Sequence, residues 1–579
     1  MSGSLVAAIS LVLFYVGYRY YSRFLAEKIY RLNPDFITPA HQFNDGVDYV
    51  PANKFVLWGH HFTSIAGAAP IVGPAIAVYW GWLPAMLWVV FGTIFAAGVH
   101  DFGVMVLSVR NKGQSIGTIA DKIIGHRAKI LFLFIILILV LMINAVFAWV
   151  ISNLFISFPA SVLSIFIQIP LALWIGYRTY RGSGGSMILP AIFVLFVMYF
   201  TAILASYVPV LQIDLVEYFG GEESVVWMGL SGIEMSFFVW IVILMVYVYI
   251  ASTLPVWTLL QPRDLINSYQ LLLGLLILYT GLFITNPEIS APPANAEATD
   301  VSWFPLLFIT IACGAISGFH GLVSSGTTAK QLDKETDARF IGYLGAVGEG
   351  ALALITIVAV VTYFNTTGEF LAHYHSFEEA GATGLNVFVQ GAAQLATGLL
   401  IPLEVAQTII AVIVISFAAT TLDTSVRLMR YIINELGVTY NVKPLTHMHV
   451  STFIAVGASA ALVLIPEGPR GLGSGGYLLW PLFGTSNQLL AAISLLILTI
   501  WLKKKGRSIV YTLVPLIFLL FMTLWAMSEQ VFYQWAFWSE SGGNLLLFVF
   551  GSLILVFTLW IILEALKLAR SFTDQSEIH

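Results

Sequence analysis

Apolar segments of about twenty residues recur along nearly the whole chain, and they constrain its fold more than any other feature. A hydrocarbon core about 30 Å thick is crossed by about 20 helical residues, each rising 1.5 Å. Only 10% of the 579 residues are charged and 59% are hydrophobic, whereas a soluble chain is about 25% charged. We therefore expect an all-α protein that crosses a membrane many times.

This rule predicts about fifteen spans in a single transmembrane domain. No interval between them reaches the roughly 50 residues of an independent soluble domain. The predicted spans lie near residues 4–22, 59–79, 82–109, 128–153, 160–176, 187–208, 236–260, 265–285, 304–325, 340–363, 398–420, 448–465, 477–501, 508–527 and 544–568.

The basic residues predict the orientation of these spans. If the N-terminus lies outside, the Lys and Arg residues between spans fall on one side, and Arg470 is the exception. The positive-inside rule makes that side cytoplasmic. The C-terminus is then cytoplasmic, and the first apolar stretch, which lacks a basic leader and a cleavage site, is expected to be a retained helix.

Composition also excludes several classes of protein. The single cysteine, Cys313, excludes an intramolecular disulfide framework and a zinc site built from several thiolates. A net charge of -5 with dispersed bases predicts no nucleic-acid partner. Because no glycine-rich phosphate loop ends in Lys-Ser or Lys-Thr, we expect no ATP-driven transport by this chain alone. No cofactor is predicted.

Two spans contain glycine-rich clusters that predict broken helices, at residues 59–74, where Pro70 and Pro74 accompany the glycines, and at 313–326. Non-helical backbone at membrane depth is tolerated where it lines protein or a water-filled cavity. Aligning Gly59 with Gly318 also aligns His61 with His320, while the charge pattern directs the two spans oppositely. This predicts an inverted repeat. Its halves are 59–208 and 304–501, joined by 209–303 with two extra helices and followed by C-terminal helices in 502–579.

The alternative interpretation of these clusters is that their small residues only allow close helix packing. On the broken-helix interpretation, the residues predicted to bind substrate are Ser64, Gly67, Ser317, Gly318, Ser324 and Ser325.

Ionisable residues inside spans usually face a pathway or a partner. His61, His320 and Glu349 are predicted to carry a coupled proton, because histidine titrates near neutral pH and Glu349 has no base within a helical turn. The alternatives are a neutral histidine bonded to a backbone carbonyl and a permanently protonated acid that joins helices.

Other charged residues are expected to be structural or gating. His100 and Asp101 are predicted to form a structural pair within one span. At the cytoplasmic edge, Arg263 is expected to pair with Asp264, and Asp423 with Arg427, four residues along a helix.

A zinc site is a weaker alternative. Its ligands would be His60, His61 and His100, but their spacing is not that of a local ligand motif.

The chain resembles the carbon starvation protein A family of bacterial transporters along most of its length. The resemblance rests on 51-PANKF-55, 59-GHHF-62, 64-SIAG-67, 73-GP-74, 99-VHDF-102, 254-LPVW-257, 260-LQPRD-264, 317-SGFH-320, 421-TLDT-424, 479-LWPLFG-484 and 487-NQ-488. It implies a cytoplasmic-membrane permease used when carbon sources are scarce, with peptide transporters and pyruvate–proton symporters among its members. The chain looks like a shorter member of the family.

These observations favour a secondary transporter that imports a small carboxylate such as pyruvate, or short peptides, with protons. A channel is the first alternative, although no repeated filter segment is visible. An intramembrane enzyme is the second, although no nucleophile with its base is evident. The sequence does not choose between the substrates.

Overall fold

The computed structural model describes residues 1–46, 48–181, 186–226, 229–465, 471–539 and 543–576; Arg470 lies outside these ranges. The regular elements within them are helices. Twelve helices are long and apolar enough to cross a membrane, or thirteen when one bent pair is counted as a span. The protein is therefore an integral membrane protein, as predicted.

Ten helices of at least eight residues lie before residue 286 in the described ranges. They are α1 Gly3–Ile29, α2 Lys54–Ala66, α3 Ala69–Trp80, α4 Trp82–Arg110, α5 Ile116–Ile123, α6 His126–Ser157, α7 Pro159–Tyr180, α8 Ile188–Tyr207, α9 Gly232–Thr253 and α10 Leu260–Thr285.

The remaining helices begin at residue 303. They are α11 Trp303–Thr310, α12 Ala312–Ala315, α13 Gly318–Val323, α14 Glu335–Val361, α15 Thr367–His373, α16 Phe377–Thr397, α17 Leu403–Thr439, α18 Met448–Leu464, α19 Trp480–Lys504, α20 Val510–Gln534 and α21 Leu545–Ser576.

The predicted number of about fifteen spans exceeds the twelve or thirteen found in the described ranges. Predicted span 304–325 is divided into short helices, and predicted span 448–465 is the 17-residue helix α18. The interval 364–397, which was predicted to contain no span, holds α15 and α16. Amide and hydroxyl side chains on α16 lower its hydropathy, and α16 is not among the helices apolar enough to count as a span.

The first predicted interruption separates α2 from α3. Asn53 caps the start of α2 by accepting the Phe55 N–H at 2.9 Å. The helix ends at Gly67, whose φ of 47° lies in a region that favours glycine. The chain then bends by 46° into α3. Pro70 is tolerated in the first turn of α3 because helix starts leave N–H groups unpaired anyway.

The second predicted interruption separates α12 from α13. Ile316 and Ser317 are extended, and α13 then begins with the Phe319 N–H donating to Asn487 Oδ1 at 3.0 Å. After α13 the chain continues as a π-helical segment, Ser324–Thr328. An amide side chain from α19 therefore satisfies the start of the second half-helix.

The two interrupted segments pack against each other in antiparallel fashion. The first half of one, α2, packs against α13, the second half of the other, while α3 packs against α12. The five-plus-five inverted repeat remains a prediction. Close packing occurs here as well: a Cβ on Gly345 of α14 would lie 2.9 Å from His61 Cδ2, and one on Gly348 would lie 2.7 Å from the Phe62 ring.

One helix extends well beyond its predicted span. The span 398–420 placed Thr421 and Asp423 at the cytoplasmic edge, but α17 continues to Thr439. Both side chains are buried in its interior. The hydropathy rule ended the span too early, because buried polar residues reduce the mean hydropathy of a helix even where it continues inside the protein.

Candidate functional site

Four ionisable side chains form a continuous buried chain between α4, α13 and α14. His320 Nε2 lies 3.0 Å from Glu349 Oε2, and His320 Nδ1 lies 2.8 Å from Asp101 Oδ2. The other Asp101 oxygen lies 2.7 Å from His100 Nδ1. No member is more than 2% exposed. These contacts thus join α13, in the second interrupted segment, to α4 on one side and to α14 on the other.

Asp101 accepts a hydrogen bond from each histidine, whereas His320 Nε2 lies beside Glu349 Oε2 as a close ion-pair contact without hydrogen-bond geometry. One state available to these groups has both carboxylates ionised, His320 doubly protonated and His100 neutral. This state carries a net charge of -1. A further proton can bind at Glu349 Oε1, which has no hydrogen-bond partner among the described residues. The arrangement can therefore store and release a proton at a defined atom.

His61 and His60 do not join this chain directly. His61 Nδ1 lies 3.0 Å from the Thr328 hydroxyl, and His60 Nδ1 lies 2.7 Å from Asp264 Oδ2. The structure does not bring His60, His61 and His100 together, since the three rings bind different partners. Within the described ranges, no group of three or more His, Cys, Asp or Glu residues is arranged to hold a metal ion.

A second buried cluster links α9, α10 and α17. Arg263 donates to Asp423 and to the Tyr247 hydroxyl, and Tyr247 also donates to Asp423 at 2.9 Å. The predicted pairings of Arg263 with Asp264 and of Asp423 with Arg427 are therefore wrong. Tertiary contacts compete successfully with sequence neighbours, because buried charges require well-placed partners.

Arg427 binds backbone instead of a carboxylate. Its guanidinium donates to the carbonyls of Ala251 and Leu254, at 2.9 and 3.0 Å. It thereby satisfies carbonyl groups at the C-terminal end of α9, where cations are favoured.

The residues predicted to bind substrate divide into two groups. Ser64 and Ser324 are buried, and their hydroxyls have no hydrogen-bond partner among the described residues. Ser317 is bonded to Asn487, whereas the Ser325 hydroxyl donates to Gly321 O and accepts the Ile116 N–H. The second pair is therefore already engaged with protein.

The two glycines predicted to bind substrate, Gly67 and Gly318, also have different surroundings. A Cβ on Gly67 would lie 2.7 Å from the Thr421 hydroxyl, so this glycine faces a polar group at the first break. A Cβ on Gly318 would lie 2.4 Å from the Asn487 carbonyl and 2.5 Å from Leu490 Cβ, so Gly318 allows close packing on α19.

Tyr247, Thr328 and Asn487 bind residues of the predicted site, although sequence reasoning assigned them no role. Each is a polar residue within or beside an apolar span, which was the available signal. Their partners are between 16 and 267 residues away, so spacing alone did not identify them.

Membrane-crossing helices, two interrupted segments that pack against each other and a buried row of ionisable groups are typical of secondary transporters. A family model described as carbon starvation protein CstA matches residues 2–526. The chain belongs to this family, as its sequence resemblance indicated. It is a membrane transporter and not an enzyme.

Relatives share about 30% identity with this chain. The peptide transporter CstA of Campylobacter jejuni is 32% identical over 92% of this chain and 81% of its own length. The pyruvate/proton symporter BtsT of Escherichia coli is 32% identical over 91% of this chain and 81% of its own. The peptide transporter CstA of Bacillus subtilis is 30% identical, with coverages of 90% and 89%.

Proposed function

We propose that this protein is a secondary active transporter of the bacterial cytoplasmic membrane. It imports a small carboxylate such as pyruvate, or short peptides, together with protons when carbon sources are scarce. The observation that carries the proposal is the position of His320 between Asp101 and Glu349, in one of the two interrupted segments. The names of relatives include both peptide transport and pyruvate–proton symport.

Proton coupling is assigned to Glu349, with His320 and Asp101 as its buried partners. Protonation of Glu349 Oε1 neutralises the net charge of -1 on the four buried side chains. It also weakens the attraction between Glu349 and His320. Because α13 and α14 hold the two residues, a change in this contact acts on the packing of the second interrupted segment. His61 packs against α14 at Gly345 and is a candidate to relay protons from the first segment.

The substrate carboxylate is assigned to the first break. No described residue accepts hydrogen bonds from the N–H groups of Ala68 and Ala69 at the start of α3. Free N–H groups and the helix dipole favour an anion there. The equivalent position at the second break is already filled by Asn487. The unpartnered hydroxyls of Ser64 and Ser324 are the candidate additional donors.

The cytoplasmic gate is assigned to the two buried pairs on α10. These are Arg263 with Asp423 and His60 with Asp264. The assignment uses the orientation from basic residues, with the N-terminus outside and the C-terminus in the cytoplasm. Alternating access then requires these pairs to separate when the site opens inward.

The proposal is tested with purified protein in proteoliposomes. Uptake of labelled pyruvate and of labelled dipeptides is measured with and without an inward proton gradient. Saturable uptake that the gradient accelerates is expected for at least one substrate class. Equal rates with and without the gradient would contradict symport, and a flux that does not saturate would indicate a channel.

A further inference from the structure

The C-terminal end of α2 presents buried carbonyl groups that lack partners. The last four carbonyls of an α-helix have no partner within the helix, and here they belong to Thr63, Ser64, Ile65 and Ala66. No N–H or side-chain donor among the described residues bonds to them. All four residues are buried. Helix carbonyls point towards the C-terminus, so these oxygens point towards the break at Gly67.

A hydroxyl group from α17 faces the same break. Thr421 is 2% exposed, and its Oγ1 has no hydrogen-bond partner among the described residues. A Cβ on Gly67 would lie 2.7 Å from this atom, which places the hydroxyl directly against the turn. The break therefore combines the negative end of a helix dipole with a buried hydroxyl oxygen.

Unpartnered polar groups at membrane depth are energetically unfavourable. A hard cation satisfies several oxygen acceptors at once, as in transporters where unwound backbone and half-helix C-termini coordinate sodium. Divalent cations prefer carboxylate ligands, and this set contains none. The carboxylate of Asp423, two residues from Thr421, is engaged by Arg263 and Tyr247.

We propose that the C-terminal carbonyls of α2 and the Thr421 hydroxyl form a binding site for a monovalent alkali cation, with sodium as the ion of choice. The site lies on the carbonyl side of the first break, opposite the N–H groups assigned to the substrate carboxylate. It is distinct from the Asp101–His320–Glu349 chain. A bound cation would hold α17 against the break and add a second ion to the transport cycle.

Cation binding is measured on the purified full-length protein, without substrate. Thermal unfolding in detergent is followed while sodium chloride replaces choline chloride at constant ionic strength, and binding of radioactive sodium is measured in parallel. When a ligand binds only the folded state, the free energy of unfolding rises with the logarithm of the ligand concentration once that concentration exceeds Kd. We expect a saturable rise in unfolding temperature with sodium, a smaller one with potassium, and none with choline.

Three variants locate the site. Thr421→Val removes the hydroxyl at nearly constant volume and is expected to weaken sodium binding at least about tenfold, which corresponds to about 1.4 kcal/mol. Thr421→Ser keeps the oxygen and is expected to retain binding. Thr356→Val is the matched control, since the buried Thr356 hydroxyl donates to Leu352 O of its own helix at 2.9 Å.

The inference is overturned if sodium and choline give equal unfolding temperatures and no radioactive sodium binds. It is also overturned if Thr421→Val binds sodium as tightly as the unmodified protein. Neither measurement depends on the transported solute or on protons, so its failure is separate from failure of the proposed symport.

Discussion

His320 Nε2 lies 3.0 Å from Glu349 Oε2, although 29 positions separate the two residues and they belong to different helices. The contact joins the half-helix after the second break to the middle of α14. Replacing Glu349 with Gln keeps the shape of the side chain but removes its titration. We expect the variant to lose acceleration of uptake by an inward proton gradient, while exchange of labelled for unlabelled substrate continues.

Glu369→Gln is the control for this prediction, because Glu369 lies exposed on α15 outside the buried chain. It is expected to keep gradient-driven uptake. If Glu349→Gln also kept its full dependence on the gradient, Glu349 would not be the coupling group.

Asp101 is expected to be essential for stability. It accepts contacts from His100 and His320 and is fully buried. Removing one partner of a buried ion pair costs about 3–5 kcal/mol. Asp101→Ala should therefore lower the midpoint of thermal unfolding in detergent, whereas Asp35→Ala at an exposed position should not. An unchanged midpoint for Asp101→Ala would show that the contacts contribute little.

The first break is expected to tolerate no side chain at Gly67. Its φ of 47° is strained for other residues, and a Cβ there would lie 2.7 Å from the Thr421 hydroxyl. Gly67→Ala should reach the membrane but lose uptake. Gly457→Ala on α18 is the matched control, since its Cβ meets no atom within 4 Å. Normal uptake by Gly67→Ala would exclude a functional role for this turn.

The sequence predicted both breaks because glycines, joined by proline at the first break, interrupt apolar spans at the positions where α2 ends and α13 begins. It also selected His320 and Glu349, since ionisable residues are rare at membrane depth. The sequence did not predict that His320 and Glu349 contact each other. That contact depends on how α13 packs against α14, and no local periodicity encodes it.

Pairing of buried charges was the least predictable feature. Arg263 has a carboxylate beside it in sequence, yet it binds Asp423, which is 160 positions away. Neighbours along a helix point in different directions, so Asp264 faces His60 instead. Sequence spacing predicts pairs well on exposed helix faces, where no tertiary partner competes.

The contributions of Arg263 and Asp423 to the stability of the protein are expected to depend on each other. Arg263→Gln leaves the Asp423 carboxylate buried without its cation and should destabilise the protein by about 3–5 kcal/mol. The double variant Arg263→Gln/Asp423→Asn removes both charges and should recover part of that loss. The test compares the unfolding midpoints of Arg263→Gln, of Asp423→Asn and of the double variant. Strictly additive effects would mean that the two charges do not interact.

Proton movement with substrate tests the proposed symport most directly. Proteoliposomes containing a pH indicator are given pyruvate or a dipeptide outside, without an imposed gradient, and the internal pH is followed. The unmodified protein is predicted to acidify the interior as substrate enters, whereas Glu349→Gln does not. Saturable substrate entry without internal acidification by the unmodified protein would contradict proton symport through the Asp101–His320–Glu349 chain.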